Sequence, residues 1–265
     1  MKIKTNDLVL EVGSGDKPYA RSDILLDKAL KDSSEREAGK KLVIDRPLVI
    51  AGVETMPFAD KSFDYIIASH VLEHANNPAK FLDELARVGK RGFIETPLPL
   101  RERVFNWPFH HWYVMLKGKQ LVLIRKTAKS KKLYSGLTEN LRQSLGSCDG
   151  RGLFNLQFEW QNKIKYQIYQ SEPCGFLNNL DRELMILRRQ TIKPQTSFFK
   201  NELWQLKSGL QNKYIRWTRK KKINLLSLVV CPHCKAKLKQ EERNLVCINC
   251  DRVYTYWQNK TPQLI

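Results

Sequence analysis

Four cysteines near the end of the chain stand in two close pairs. Two residues separate Cys231 from Cys234, two separate Cys247 from Cys250, and 12 residues lie between the pairs. Two tight turns at this spacing supply the four thiolates that a tetrahedral zinc ion takes. Because protein ligands fill all four positions, we expect a structural zinc site and not a catalytic one. A module of about 35 residues buries too little apolar surface to fold alone, so the metal would stabilise it.

A glycine turn near the start of the chain is the second feature with chemical content. The apolar run Leu8–Val12 predicts a strand that enters Gly13-Ser14-Gly15. Glycines at such a turn let a ligand approach the backbone closely. A second predicted strand, Asp23–Asp27, ends in a carboxylate, which can accept both hydroxyl protons of a ribose.

The spacing at this turn favours a nucleoside without phosphates over a dinucleotide. Glu11 and Asp27 are 16 residues apart, whereas about 20 residues are typical of dinucleotide-binding units. No third glycine follows Gly15 to seat a pyrophosphate on a helix.

The elements that must position these residues alternate between strand and helix patterns. Further strands are predicted over Pro47–Ala51, Phe63–Ser69 and Gly92–Thr96. A helix is predicted over Pro78–Val88, where apolar residues recur at helical spacing, Pro78 suits the first turn and Gly89 follows as a stop. This alternation indicates an α/β domain with a mostly parallel sheet.

The second half of the chain lacks this regular alternation of strand and helix patterns. Residues 101–150 are aromatic and basic and predict an insertion that covers the site. Residues 153–160 and 164–169 predict an antiparallel hairpin. Helices are expected over Asn178–Gln190 and Phe199–Lys220.

Three motifs together resemble the class I S-adenosylmethionine-dependent methyltransferases of the type 11 group. They are Val9-Leu10-Glu11-Val12-Gly13-Ser14-Gly15, Glu54-Thr55-Met56-Pro57-Phe58-Ala59-Asp60-Lys61-Ser62-Phe63-Asp64 and His70-Val71-Leu72-Glu73-His74. Their order, spacing and composition match over residues 7–97. The resemblance implies a Rossmann-like sheet of seven strands, the last one antiparallel, which would suit the hairpin predicted above.

The resemblance also implies a cofactor pocket for S-adenosylmethionine. Gly13 and Gly15 would line its methionine part and Asp27 would hold its ribose. The full set of expected cofactor-binding residues is Glu11, Gly13, Gly15, Asp27, Glu54, Met56 and Ser69. Since strand carboxyl ends face the ligand crevice, candidate catalytic residues are His70 and Glu95, together with His110 and His111 of the insertion.

Three departures from the family pattern motivate a reading without catalysis. Gly52 stands where the family carries an acidic residue that meets the adenine amine, and Lys17-Pro18 replaces the third glycine. Residues 16–22 leave room for at most one helical turn between the first two strands. A methyltransferase-fold protein that scaffolds a complex is therefore one of the alternatives.

The cysteine module resembles the small zinc-ribbon partners that activate tRNA and protein methyltransferases. The likeness extends to Leu245-x-Cys247 and to the tail Thr261-Pro262-Gln263-Leu264-Ile265. It implies either a stabilising clip on the catalytic domain or a device that orients the substrate. The expected domains are a methyltransferase domain over 1–175, a basic helical linker over 176–224 and the zinc ribbon over 225–265.

The charge of the chain is concentrated in its middle. The net formal charge is +19, and residues 101–230 hold 25 Lys and Arg against 8 Asp and Glu, whereas residues 1–100 are nearly balanced. Such a positive field attracts an anionic partner, for which an anionic substrate, RNA and a peripheral acidic membrane surface stay open. The longest apolar run, Leu225–Val230, is too short to cross a membrane and predicts a strand. With no signal-peptide core at the start, we expect a cytoplasmic protein.

The acceptor of the methyl group is less defined than the reaction. The segment Ser69-His70-Val71-Leu72 lacks the Asn/Asp-Pro-Pro-aromatic signature of nucleobase amino methylation. We therefore favour an anionic small molecule, such as a glycolipid, saccharide or phosphorylated metabolite. RNA or a translation-associated protein is the alternative, motivated by the basic middle segment and the zinc ribbon. The oligomeric state is left open.

Overall fold

A six-stranded sheet organises the first part of the chain in the computed structural model, which describes residues 1–28, 41–128, 130, 154–189, 223–257 and 261–264. The strand order is β3-β2-β1-β4-β5-β8, with β1 to β5 parallel and β8 antiparallel to β5. The strand bounds are β1 Val9–Val12, β2 Ile24–Asp27, β3 Leu48–Ile50, β4 Tyr65–Ser69, β5 Arg91–Pro97 and β8 Asn155–Gln161.

The first three strands are buried at every position, because a parallel sheet is covered on both faces. This explains why they read as short continuous apolar runs and not as alternating patterns. The α/β class and the antiparallel last strand are confirmed. The described residues contribute six strands to this sheet, where seven were expected.

The hairpin predicted over residues 153–169 is wrong. β8 pairs with β5, while β9, Tyr166–Tyr169, lies in a second sheet of order β6-β7-β9. In that sheet β6 and β7, Trp112–Lys117 and Gln120–Arg125, form the hairpin, and β9 runs parallel to β7 along its free edge. The backbone of Asn162 is left-handed, with a φ of +61°, and it turns the chain away from β8.

Two of the described helices, α1 and α3, follow their sequence predictions closely. Helix α1 spans Pro78–Val88 as predicted, and the side chain of Asn77 caps it by accepting from the backbone N–H of Lys80. Helix α2 spans Pro99–Phe105 and ends at a left-handed Asn106, within the expected insertion. Helix α3 spans Phe176–Arg189, close to the predicted range. The helix predicted over Phe199–Lys220 lies outside the described residues.

The C-terminal module is a four-stranded antiparallel ribbon. Its strands are β10 Leu238–Glu241, β11 Asn244–Cys247, β12 Val253–Trp257 and β13 Thr261–Pro262. The strand predicted over Leu225–Val230 is corrected to a 3₁₀ turn, Leu225–Ser227, followed by single bridges from Val229 to Phe58 and from Val230 to Lys237.

The ribbon and the methyltransferase-like domain share one core. Val229, Cys231 and Leu264 belong to the same buried cluster as Met56 and Phe58. Backbone hydrogen bonds join the same surfaces, because Val230 donates to the Pro57 carbonyl at 2.9 Å and Leu264 donates to the Ile50 carbonyl at 2.8 Å. The ribbon is therefore anchored beside β3. The boundaries expected at residues 175 and 224 stay predictions.

Candidate functional site

The glycine turn closes against the end of the neighbouring strand. Gly13 and Gly15 both have left-handed backbones, with φ of +65° and +56°. The N–H of Gly13 donates to the Leu26 carbonyl at 2.7 Å, and the N–H of Gly15 donates to Asp27 Oδ2 at 3.3 Å. The turn and the buried Asp27 carboxylate thus lie side by side at the carboxyl edge of β1 and β2. As expected, residues 13–23 form turns and no helix.

The space around the two glycines differs. A Cβ at Gly13 would lie 2.4 Å from Val71 Cγ2, so only glycine fits there. A Cβ at Gly15 would meet nothing nearer than the Gly13 carbonyl oxygen, at 4.0 Å. Open space at a glycine beside a buried carboxylate lets a nucleoside approach the backbone and place its ribose hydroxyls on the carboxylate. These residues therefore fit S-adenosylmethionine.

Glu11 organises the segment that follows the turn. Its Oε2 accepts hydrogen bonds from Ser22 Oγ at 2.6 Å and from the Tyr19 N–H at 2.9 Å. Arg46 completes the arrangement, because Nη1 donates to Ser22 Oγ at 2.8 Å and to the Tyr19 carbonyl at 2.7 Å. Burial raises the pKa of the Glu11 carboxyl to about 7, even though these hydrogen bonds act to lower it.

We expect Glu11 to make the free energy of unfolding depend on pH. The folded pKa of Glu11 lies above the unfolded value of 4.5. The contribution of Glu11 to the free energy of unfolding therefore grows as the pH falls from about 7 toward 4.5, and it is absent above about pH 7. Glu11→Gln keeps an acceptor oxygen without a charge. By the 1.36 kcal/mol per pKa unit, the variant should gain on the order of 3 kcal/mol at pH 8 and flatten the dependence. Urea unfolding between pH 5 and 8 measures this, with the exposed Glu242→Gln as control; an unchanged pH slope in Glu11→Gln would refute it.

The ends of β4 and β5 converge on the carboxylate of Glu95. Its Oε2 accepts from Ser69 Oγ at 3.1 Å and from the Tyr19 hydroxyl at 3.4 Å. Its Oε1 accepts from Asn155 Nδ2 and from Gln157 Nε2, both at 3.2 Å. Sequence analysis identified Ser69 and Glu95 but missed the other three residues, which come from a loop and from the antiparallel strand β8.

His70 lies next to this carboxylate in a left-handed conformation, with a φ of +56°. Its Nδ1 is 3.2 Å from Glu73 Oε1, its Nε2 is 3.3 Å from Asn155 Nδ2, and its imidazole is 44% exposed. Burial acts to lower the pKa of His70, but the hydrogen bond and charge of Glu73 outweigh it and raise the pKa. Burial likewise opposes ionisation of Glu73, yet the same bond and the nearby histidines lower its pKa to about 2. His70 and Glu95 are thus brought together, with Asn155 between them.

Two of the expected cofactor residues have other contacts. Glu54 Oε1 accepts from the Asn77 N–H at 2.7 Å, at the start of α1. Met56 is fully buried, and its carbonyl accepts from Arg87 Nη2 at 2.9 Å and from Lys235 Nζ at 3.1 Å. In this structure Glu54 positions α1 and Met56 supports the ribbon. Their role toward a cofactor stays a prediction.

His110 and His111 point to a second polar region. Glu102 accepts at Oε2 from His110 Nδ1 at 2.6 Å and at Oε1 from Lys126 Nζ at 2.7 Å. Glu102 and His110 are buried, and the Lys126 side chain has no exposed surface. His111 is half-buried, and its backbone N–H donates to the Glu73 carbonyl at 2.8 Å. His110 therefore belongs to a buried ionic cluster that sequence analysis missed, since nothing in the spacing of Glu102 and Lys126 pairs them.

The four cysteines meet as the sequence predicted. Their Sγ atoms lie within 4.8 Å of one another, with separations of 3.4 Å for Cys234 to Cys247 and 3.7 Å for Cys231 to Cys250. Tetrahedral zinc with bonds of about 2.3 Å would place thiolates about 3.8 Å apart. The donor set therefore fits a structural zinc ion.

Two family models match this chain. The model described as "Methyltransferase domain" matches residues 24–94, and the model described as "Trm112p-like protein" matches residues 222–255. The first region runs from β2 into β5 and the second contains the four cysteines. The chain therefore combines a methyltransferase domain with a Trm112p-like C-terminal domain.

Individual relatives are similar over part of their length. An uncharacterized protein of Methanocaldococcus jannaschii is 34% identical over 84 residues, which cover 31% of this chain and 40% of that protein. The demethylmenaquinone methyltransferase of Renibacterium salmoninarum is 30% identical over 139 residues, which cover 51% of this chain and 57% of that protein. The chain thus spans about half the length of the curated relatives that it matches.

Among solved structures, the complex of the Trm112 methyltransferase activator with a methyltransferase of Haloferax volcanii aligns with a TM-score of 0.38 and 14% identity. The alignment covers 62% of this chain and 85% of the matched chain.

Over the part of the chain that the structure describes, no helix is both long and apolar enough to cross a membrane.

Proposed function

We propose that this chain is an S-adenosylmethionine-dependent methyltransferase. One observation carries the proposal: the open glycine turn lies beside the buried Asp27 at the carboxyl edge of the sheet, just before the region that matches a methyltransferase domain. In open α/β sheets this edge is where ligands bind. Asp27 would accept hydrogen bonds from the ribose hydroxyls, and Gly15 would lie against the cofactor.

Bound S-adenosylmethionine supplies an electrophilic methyl group on a sulfonium. Displacement at that carbon is accelerated mainly by the positioning of the acceptor. His70 and Glu95 stand at the ends of adjacent strands, and Asn155 joins them by hydrogen bonds of 3.3 and 3.2 Å. We place the acceptor against this edge, where His70 Nε2 and Glu95 are within hydrogen-bonding reach. Tyr19, whose hydroxyl contacts Glu95, would restrict water beside it.

The Trm112p-like module favours RNA or protein as the acceptor, whereas the sequence alone favours an anionic small molecule. More than half of the basic residues of 101–230, which motivated RNA or a translation-associated protein as the alternative, lie outside the described residues. The match over 222–255 instead supports RNA or a translation-associated protein as the acceptor. Because the module shares a core with the methyltransferase domain, we propose that it stabilises the enzyme from within one chain.

Transfer of a tritiated methyl group from S-adenosylmethionine tests this function. The full-length, zinc-loaded protein is incubated separately with total RNA, ribosomal protein and small-molecule extract of its source. Label in RNA or in ribosomal protein supports the proposal. Label in the small-molecule extract alone supports the methyltransferase but overturns this acceptor. Label in no fraction, from protein that binds S-adenosylhomocysteine, favours the scaffold alternative.

A further inference from the structure

A second group of metal-ligating side chains lies outside the zinc ribbon. Glu73, His74 and His110 each bring one donor atom to the same place, and these atoms lie within 4.8 Å of one another. We propose that these three residues bind a divalent transition-metal ion, separate from the ion of the four cysteines. Two imidazoles and one carboxylate form a donor set that suits zinc or iron(II) better than magnesium or calcium.

The orientation of His110 supports the assignment. Its Nδ1 is 2.6 Å from Glu102 Oε2, so Nδ1 carries the proton toward that carboxylate and Nε2 is left as the donor. A histidine that binds a metal through one nitrogen commonly gives its other N–H to a carboxylate, which fixes the ring and its tautomer. Glu102 is held in turn by Lys126, at 2.7 Å. The second coordination shell of a metal site is therefore already built.

The other two donors are also fixed. Glu73 is buried, and its Oε2 accepts from Thr96 Oγ1 at 3.0 Å while Oε1 faces His70. Each carboxylate oxygen has two lone pairs, so these contacts leave Glu73 able to ligate. The His74 ring stacks on Phe109, with centroids 5.6 Å apart and planes at 9°.

The two segments that carry the donors are tied together by hydrogen bonds. The His111 N–H donates to the Glu73 carbonyl at 2.8 Å, and Trp112 Nε1 donates to the Ala75 carbonyl at 2.7 Å. The rings of His74 and His110 meet edge to face, with centroids 4.6 Å apart. The donors are thus held close together by the fold.

The local charge also suits a divalent cation. Glu73 and Glu102 contribute two negative charges, and Lys126 contributes one positive charge against Glu102. With neutral imidazoles the cluster is negative by one unit, so an ion of charge +2 is attracted to it. Because Glu73 also contacts His70, its carboxylate would be shared between this ion and His70.

Zinc content per chain tests the inference. The full-length protein is equilibrated with excess Zn²⁺, passed over a desalting column and analysed by plasma mass spectrometry. We expect two zinc ions in the wild type and one in His110→Ala and in His74→Asn. The neighbouring His111→Ala, which removes a histidine outside the donor set, should retain two. Glu102→Gln should weaken the second site by 10- to 100-fold in a calorimetric zinc titration.

A wild type that takes up one zinc ion, or histidine variants that keep two, would overturn the inference. The wild-type stoichiometry decides the matter even if His110→Ala fails to fold. Circular dichroism of each variant establishes whether the fold is retained. Methyl transfer is not part of the readout, so the outcome is independent of the proposed function.

Discussion

Replacing Cys247 with serine is expected to release the ribbon zinc and to destabilise the whole chain. Structural zinc contributes about 10–16 kcal/mol to the folding of small modules, which is comparable to the entire stability of a domain. Cys247 is fully buried at the end of β11, and it accepts from the N–H groups of Asn249 and Cys250. The ion would tie the Cys231–Cys234 turn to the Cys247–Cys250 turn through its four thiolate ligands.

The effect should reach the methyltransferase domain because the two modules share their core. Met56 and Phe58 pack with Val229 and Leu264 in one cluster. Loss of the ribbon would expose this apolar surface. We expect the melting temperature measured by calorimetry to fall by about 10 °C or more, since several kcal/mol are removed from a chain of this size.

The exposed Cys174 supplies the matched control. Cys174→Ser should keep one zinc ion in the ribbon and the wild-type melting curve. A Cys247→Ser protein that kept the ribbon zinc ion would show that this thiolate is not needed to bind it. A variant that lost the ion but kept the wild-type melting curve would show that the shared core does not transmit the loss.

Replacing Glu102 with alanine is expected to cost about 3–5 kcal/mol of unfolding free energy. The carboxylate is 1% exposed and lies between Lys126 and His110, at 2.7 and 2.6 Å. Its removal takes away the carboxylate that pairs with the buried Lys126 ammonium, and breaking a buried ion pair by removing one partner carries a penalty of this size. Urea unfolding at pH 7 measures the loss.

Two variants separate this effect from a general loss of charge. Glu241→Ala removes a carboxylate from the exposed pair with Lys239 and should leave the unfolding curve almost unchanged. The double variant Glu102→Leu with Lys126→Met replaces the buried pair by apolar side chains and should recover most of the stability. A Glu102→Ala protein as stable as the wild type would show that the pair is not needed.

The sequence predicted the elements that short-range signals define. Helix α1 begins at Pro78 and ends before Gly89, because the proline, the Asn77 cap and the apolar spacing all agree. The first five strands are apolar runs bounded by turns, and the four cysteines are fixed by their spacing. These features depend on residues close together in the chain, so no tertiary information is needed to find them.

Features that depend on distant partners were missed. Strand β9 pairs with the edge of β7, which lies more than 40 residues earlier in the chain. The alternating pattern of residues 164–169 is compatible with pairing to β7 or to β8. Glu102 and Lys126 meet only because α2 and the end of β7 pack together. The carboxylate of Glu95 likewise acquires Asn155 and Gln157 from an antiparallel strand whose register no local pattern records.

Calorimetric titration with S-adenosylhomocysteine tests most directly whether the glycine turn and Asp27 form the cofactor site. The full-length, zinc-loaded protein should bind with micromolar affinity, and Asp27→Ala should weaken binding at least tenfold, or about 1.4 kcal/mol. The remote and exposed Asp60→Ala is the control and should bind like the wild type. Folded protein that binds no S-adenosylhomocysteine, or that binds it equally well without the Asp27 carboxylate, would contradict this account.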